Sequence, residues 1–330
     1  MEFADCKVEA WPERYPIRGE FRISRASKTE AEVVVCRVTS GGRVGQGECV
    51  PYARYGETVR SVLDAIEKSA AALGDGFDHE RLATTLAPGA ARNALDCALW
   101  DLEAKLTGRH AHLLVCRRPP RPIETAFTIS LDEPNVMADA ARSASRRPVL
   151  KVKLGGPNDF AAMHAVVSAA PRSRIIIDAN EAWSPDDLPE LMREASRLHI
   201  ALIEQPLPVG KDEILAEIPH PVPICADESA HTADDLPSLR DRYDAINIKL
   251  DKSGGLTEAL RMRDRARELG FGVMIGCMVG TSLSMAPAVL LGQDADYVDL
   301  DGPLLLARDR HPGLDYADAT VSPPRAELWG

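Results

Sequence analysis

The stretch that decides the fold runs from LKVKL (150–154) through IIIDAN (175–180), ALIEQP (201–206) and ICADES (224–229) to INIKLDKSGG (246–255). Each piece is a short apolar run with a charged residue near its end, which reads as a strand buried on both faces. Working outward, strands centre near Ile129, Val152, Ile177, Ile203, Ala226, Ile248, Ile275 and Asp299. Successive centres differ by 23, 25, 26, 23, 22, 27 and 24 positions. That near-constant spacing is one strand plus one crossover helix, repeated until the strands close into a barrel. AAMHAVVSAA (161–170), LPELMREASRL (188–198) and LTEALRMRDRARELG (256–270) supply crossover helices of amphipathic pattern.

Residues 1–117 do not follow this period. VVVCRVTS (33–40) and the glycine-rich turn GGRVGQGE (41–48) predict a small antiparallel sheet. ETVRSVLDAIEKSAAAL (57–73) and ARNALDCALWDLEAKLTG (91–108) carry apolar residues at helical spacing. The chain therefore divides into an α+β domain (1–117), a barrel (118–305) that opens with the proline-rich linker RRPPRPIE (117–124), and a closing segment (306–330) expected to pack back on the first domain.

Composition sets limits on function. The chain has 330 residues, 45% of them hydrophobic, enough for a sizeable core. A net charge of −11 argues against a nucleic-acid surface or an anionic membrane. Seven cysteines without a CxxC pair read as reduced, mostly buried thiols of a cytoplasmic protein. The opening MEFADCKVEAWPERYP resembles neither a secretory signal nor a transit peptide, and no apolar run approaches the ~20 residues of a membrane span.

A parallel barrel carries its chemistry at the C-terminal ends of its strands. There the chain offers Lys153, Asp178, Glu204, Asp227, Lys249 and the pair Asp299/Asp301. Alternate residues of a strand share a face, so Lys151 pairs with Lys153, Asp178 with Asn180, Cys225 with Asp227, and Asn247 with Lys249. Asp178, Glu204 and Asp227 would form an oxygen-only arc on three successive strands, a donor set suited to Mg²⁺, with Mn²⁺ as its substitute.

A lysine of pKa near 10.4 is unprotonated about once in 2,500 at pH 7, so a lysine base needs a downward shift of roughly three units, about 4 kcal/mol. Lys151 and a bound cation would supply the positive charge beside Lys153. Lys249 lies four strands further on, across the ring. Two bases on opposite faces of one carbon are what a 1,1-proton transfer requires. Lys252, beyond the strand, reads as structural.

This residue set resembles the enolase superfamily in its muconate-cycloisomerase-like branch, through KVK (151–153), DAN (178–180), EQP (204–206), DES (227–229), NIKLDKSGG (247–255) and GCMVGTS (276–282). The resemblance covers the whole chain and implies an α/β fold: a (β/α)7β modified TIM barrel with an α+β N-terminal capping domain. It further implies that Asp178, Glu204 and Asp227 bind Mg²⁺ and that Lys153 and Lys249 are the acid/base pair. The ion would hold a substrate carboxylate and stabilise the enediolate formed when the α-proton leaves. DLDGP (299–303) looks like the DxD motif of dipeptide epimerases, in which carboxylates matching Asp299 and Asp301 receive a dipeptide's free ammonium group. The implied activity is epimerisation of L-Ala-D/L-Glu, a peptide of cell-wall turnover. Arg25, in FRISRASKTEAE (21–32), resembles a position that meets the glutamate side chain. Tyr52 and Tyr55 stand in a second loop over the mouth, and Thr128 and Lys151 are placed near substrate. Homo-oligomers are usual for this kind of barrel.

Other readings fit less well. A TIM-barrel glycosidase would pair Glu204 with Glu228, but sugar sites favour stacking aromatics, which total 16 here (Phe 6, Trp 4, Tyr 6), and the lysines would have no role. The turn SGGRVGQG fails the GxGxxG spacing, and the histidines form no HExxH. A barrel keeping metal for structure or sensing is the non-catalytic reading. Nearer rivals share lysines and metal: a cycloisomerase, an o-succinylbenzoate synthase or an N-acylamino-acid racemase. Asp299 and Asp301 favour a substrate with a free amine.

Overall fold

The structure, a computed structural model, describes residues 3, 5–74 and 76–330. The cap is an antiparallel sheet of β1 (Lys7–Ile23), β2 (Ala26–Ser40) and β3 (Arg43–Cys49) with two long helices, Val59–Leu73 and Ala90–Thr107, against it. The unbroken VVVC run of β2 has two apolar faces to satisfy: Val34, Cys36 and Val38 join the core beneath the cap helices, while Val33 and Val35 join the barrel's core. Thr58 starts the first helix with a reciprocal cap, accepting from Ser61 N at 3.1 Å while Thr58 N donates to Ser61 Oγ at 2.9 Å. The glycines of GGRVGQGE have a packing role. A Cβ on Gly45 would lie 2.1 Å from Ala98 O, and one on Gly47 2.1 Å from Ala94 O, so the helix Ala90–Thr107 rests directly on β3.

After the short β4 (Ile123–Glu124) come eight parallel strands: β5 (Phe127–Ile129), β6 (Val149–Lys153), β7 (Arg174–Asp178), β8 (Leu202–Glu204), β9 (Ile224–Ala226), β10 (Ala245–Ile248), β11 (Gly272–Ile275) and β12 (Tyr297–Val298). They pair in sequence order, and Ala126 N donates to Val298 O at 2.8 Å across the seam between the first and last. This is the TIM-barrel-like fold expected. The last strand ends at Val298, one residue short of Asp299.

The expectation of a full crossover helix in every unit is corrected in two places. After β8 the chain makes one 3-10 turn, Glu213–Ala216, and after β9 one helical turn, Leu236–Leu239. Pro206, Pro208, Pro221 and Pro223 crowd the first of these connections, removing the amide donors a helix needs.

The closing segment adds β13 (Tyr316–Ala317) and β14 (Thr320–Val321), and β14 pairs antiparallel with β4, which stands outside the barrel sheet. Its end ties to the cap: Trp329 Nε1 donates to Cys97 O at 3.0 Å and Gly330 N to Asp101 Oδ1 at 2.8 Å. Among the described residues no helix is long and apolar enough to cross a membrane.

One layer inside the barrel positions everything above it. Ala126, Val149, Ile176, Leu202, Cys225, Ala245 and Met274 form a closed apolar cluster on its floor, with Tyr297 packed against it. Two residues further along each strand, on the same face, stand Thr128, Lys151, Asp178, Glu204, Asp227, Asn247, Gly276 and Asp299. Two further again come Lys153, Asn180, Lys249 and Asp301.

Candidate active site

The polar layer is buried: Lys151 is 1% exposed, Lys153 7% and Lys249 6%. Lys151 sits at its centre, with Nζ 2.7 Å from Asp299 Oδ2, 2.7 Å from Glu204 Oε2 and 3.1 Å from Asp178 Oδ2. Lys153 Nζ donates to Asp178 Oδ2 at 2.6 Å, and Lys249 Nζ to Asp227 Oδ2 at 2.6 Å. Lys252, read from sequence as structural, is folded under Asp227, donating to its Oδ1 at 2.6 Å and to Asn247 O at 3.0 Å. Asn247 Nδ2 in turn holds Glu204 Oε1 at 2.7 Å.

The electrostatics follow from this packing. Burial raises the Asp178 carboxyl, but Lys153 and Lys151 outweigh it and hold the group below the usual carboxylate range. The same contest leaves Asp227 well below its ordinary value, through Lys249 and Lys252. Glu204 goes the other way, raised by burial and then by the charge of Asp178. Burial opposes the Lys249 ammonium, yet Asp227 wins and holds it well above the ordinary lysine value. That is opposite to the downward shift a base requires, and its cause is a carboxylate that a cation would engage.

Several buried acceptors in this region have no hydrogen-bond donor among the described residues: Asn180 Oδ1, Glu204 Oε2, Glu228 Oε2, Asn247 Oδ1 and Asp299 Oδ1. Lys151 Nζ is close to Glu204 Oε2 without the alignment of a hydrogen bond. Each of the three arc carboxylates is drawn onto a lysine, and no group of three or more His, Cys, Asp or Glu among the described residues is closed into a metal-holding cluster as it stands. The chemistry of the set nevertheless fits a hard cation: oxygen donors, deeply buried, with lone pairs unmatched.

Lys153 and Lys249 line one cavity of about 80 Å³, together with Asn180, Asp227 and Glu228 from the barrel and Phe21, Arg25, Tyr52 and Tyr55 from the cap. It is small beside the roughly 300–1,000 Å³ of ligand pockets, and cap and barrel share its lining. Arg25, with its side chain 26% exposed, crosses to the barrel: Nη1 donates to Asn180 O at 2.8 Å and Nη2 to Glu228 Oε1 at 2.5 Å and Tyr52 Oη at 3.3 Å. Thr128 is not among the lining residues. Its N donates to Asp301 Oδ2 at 2.6 Å, which places it behind that acid. Asp301 is raised by burial and by its neighbour Asp299. Lys151, Asp178, Glu204 and Asp299 lie below the lining, one layer deeper, while Asp301, in the layer of the two lysines, is also not among the lining residues.

Sequence reasoning missed two participants. Glu228, cast there only as half of a glycosidase pair, is the buried partner of Arg25. Glu181, three residues past Asp178, gathers both cap loops: Arg54 Nε and Nη2 each donate to it at 2.9 Å and Arg25 Nη1 at 3.4 Å. Its φ of 67° and that of Asn180, 46°, turn the chain sharply off the strand end, a feature that side-chain type does not announce.

Comparison with known proteins agrees with this architecture. Residues 6–115 match the mandelate racemase / muconate lactonizing enzyme N-terminal domain, and residues 136–326 the enolase C-terminal domain-like family. An N-acetyl-D-glutamate racemase from Pseudoalteromonas is 46% identical, covering 87% of this chain and 91% of its own. The L-Ala-D/L-Glu epimerase of Escherichia coli K12 is 42% identical, over 94% of this chain and 97% of its own. A crystal structure of an enolase family member from Agrobacterium tumefaciens with homology to dipeptide epimerases, with sodium and L-Ala-L-Glu bound, superposes with a TM-score of 0.97 at 54% identity, covering 98% of this chain and 100% of that one. Matched in both its cap and its barrel, this chain belongs to the enolase superfamily, among the proteins related to mandelate racemase and muconate lactonizing enzyme.

Proposed function

We propose that the protein is a Mg²⁺-dependent dipeptide epimerase that inverts the α-carbon of the C-terminal residue, with L-Ala-D/L-Glu as substrate. The observation that carries this reading is the pair Lys153 and Lys249, which enter one cavity from strands four apart. One amine takes the α-proton, the C–H electron pair moves toward the substrate carboxylate, and the other amine returns a proton to the opposite face. Asp178, Glu204 and Asp227 would hold Mg²⁺, or Mn²⁺ in its place; when bound, the ion draws charge from the substrate carboxylate and so makes the α-proton more acidic. Lys151, buried among those carboxylates, keeps them together. Asp299 and Asp301 receive the substrate's free ammonium, Thr128 orients Asp301, and Arg25 meets the side chain of the residue inverted.

The relatives support the reaction class: the Escherichia coli relative is an L-Ala-D/L-Glu epimerase, and the Agrobacterium structure holds L-Ala-L-Glu. A second reading, N-acyl-glutamate racemase, is favoured by the Pseudoalteromonas relative. The two differ in the amine. An acylated nitrogen is neutral and brings no charge to Asp301 or to the unmatched Asp299 Oδ1, whereas an ammonium complements both.

Proton NMR in D₂O with Mg²⁺ tests both. L-Ala-L-Glu should lose its glutamate α-proton and yield L-Ala-D-Glu, and Asp299→Asn should weaken that reaction. Exchange confined to N-acetyl-glutamate would replace the first reading with the second. We further infer a cytoplasmic homo-oligomer serving cell-wall peptide turnover; the seven free cysteines support a reducing compartment, and light scattering of the purified protein checks the assembly.

A further inference from the structure

The β1–β2 hairpin of the cap reaches over the barrel mouth, and its register fixes what it presents there. Phe21 pairs with Lys28 and Ile23 with Ala26. Directly opposed residues of an antiparallel pair share a face, and all four line the cavity that Lys153 and Lys249 enter. The Phe21 ring lies 5.9 Å from Lys153 Nζ, so Lys28 stands across the hairpin from the residue covering that amine.

Two cations of the cap thus face the cavity around Tyr52, and their situations differ. Arg25 has its donors engaged by Asn180 O, Glu228 and the Tyr52 hydroxyl, with its charge matched by buried Glu228. Lys28 Nζ lies 5.4 Å from the centre of the Tyr52 ring and donates to no acceptor among the described residues. Glu32, the acid whose charge reaches it, is already paired with Arg14 Nη2 at 2.7 Å. The cleft therefore offers an ammonium with free donors on an aromatic face, lining the same cavity as the two lysines of the proposed chemistry.

We propose that Lys28 is a specificity residue that receives the side-chain carboxylate of the residue being inverted, acting beside Arg25. The inference rests on the epimerase reading and extends it to the choice of an acidic second residue. Lys28 stays exposed at the edge of the cleft, yet desolvation by the groups around it lowers its pKa from the ordinary lysine value, with Glu32 opposing; an anionic side chain would supply the missing partner.

The test compares kcat/KM for L-Ala-L-Glu and its neutral isostere L-Ala-L-Gln in the full-length protein with Mg²⁺. Wild type should prefer Glu; Lys28→Met should lower the Glu/Gln ratio roughly tenfold, the size of one charged hydrogen bond, and Lys28→Arg should restore most of it. The KM for L-Ala-L-Glu should also rise less steeply with salt in Lys28→Met than in wild type. A ratio unmoved by Lys28→Met, or equal losses on both dipeptides, overturns the assignment. A wild type active on both without preference overturns it too, leaving the epimerase reading in place. A wild type active on neither removes that reading and this inference together.

Discussion

Lys153 and Lys249 mirror each other: Lys153 closes β6, Lys249 stands one residue past β10, and each gives its ammonium to one carboxylate of the arc at 2.6 Å, Asp178 for the first and Asp227 for the second. The two amines are held from opposite sides of the same cavity, and neither stands in for the other. Lys153→Ala and Lys249→Ala should therefore each lower epimerisation by ~10²–10⁴-fold while far-UV circular dichroism stays that of wild type. Residual α-proton exchange in D₂O should survive for one diastereomer in each variant, and for opposite diastereomers. A single-lysine variant that still interconverts both at the wild-type rate would remove that residue from the chemistry.

The unmatched buried oxygens around Glu204 predict stabilisation by a cation. Mg²⁺ at a hundred times its Kd should stabilise the protein by about 2.7 kcal/mol, read as a rise in Tm that EDTA reverses. Glu204→Gln, which keeps an oxygen for Asn247, should lose most of that rise. An equal rise in variant and wild type would place the ion elsewhere.

At the junction of cap and barrel, His79 Nδ1 lies 2.7 Å from Asp96 Oδ1, and the same carboxylate accepts from the Thr257 hydroxyl at 2.6 Å. Burial opposes the imidazolium, but Asp96 and Glu103 prevail and push its pKa up to about 9. A raised folded value means that the charged form binds its proton more tightly when folded. Its contribution is full below the unfolded pKa near 6.5 and is lost as pH rises through about 9. Stability measured by urea should fall across that window by up to ~3 kcal/mol, with a shallower fall in His79→Asn. Parallel curves for the two proteins would show that His79 is not the group responsible.

Gly47→Ala should destabilise the cap by at least ~1–3 kcal/mol, because the added methyl meets backbone, which cannot rotate away. Chemical denaturation measures this directly, and a change below 0.5 kcal/mol, about that of an ordinary surface substitution, would mean the helix Ala90–Thr107 shifts freely on β3.

Much of the site was legible because a strand alternates strictly. Once IIIDAN and ICADES are read as strands, the parity that buries Ile176 and Cys225 commits Asp178 and Asp227 to the same interior, and the same holds for Lys151 with Lys153 and for Asn247 with Lys249. Departures begin where the strands stop. Thr128 follows the parity, yet its amide is directed to Asp301 and its side chain stays out of the cavity. Glu181 and the partnership of Arg25 with Glu228 depend on left-handed turns and on a hairpin from a distant part of the chain, and no local pattern encodes such excursions. The first of the two truncated crossovers was foreshadowed by prolines, whose count in the 205–223 connection outweighs the regular spacing of the strands, while the connection after β9 carries no such signal.

The stacked layers of the barrel interior make the protein sensitive to a kind of change that single substitutions never produce. Because Ile176 and Asp178 share a face with one residue between them, losing or gaining one residue within β7 would turn Asp178 outward among the helices and bring an aliphatic neighbour into its place. A gain of two would keep the face but lift the carboxylate by one storey, away from Lys151. The strands thus behave as reading frames, in which length mutations are silent in the loops and catastrophic a few residues earlier, where one codon would exchange the inside of the molecule for its outside.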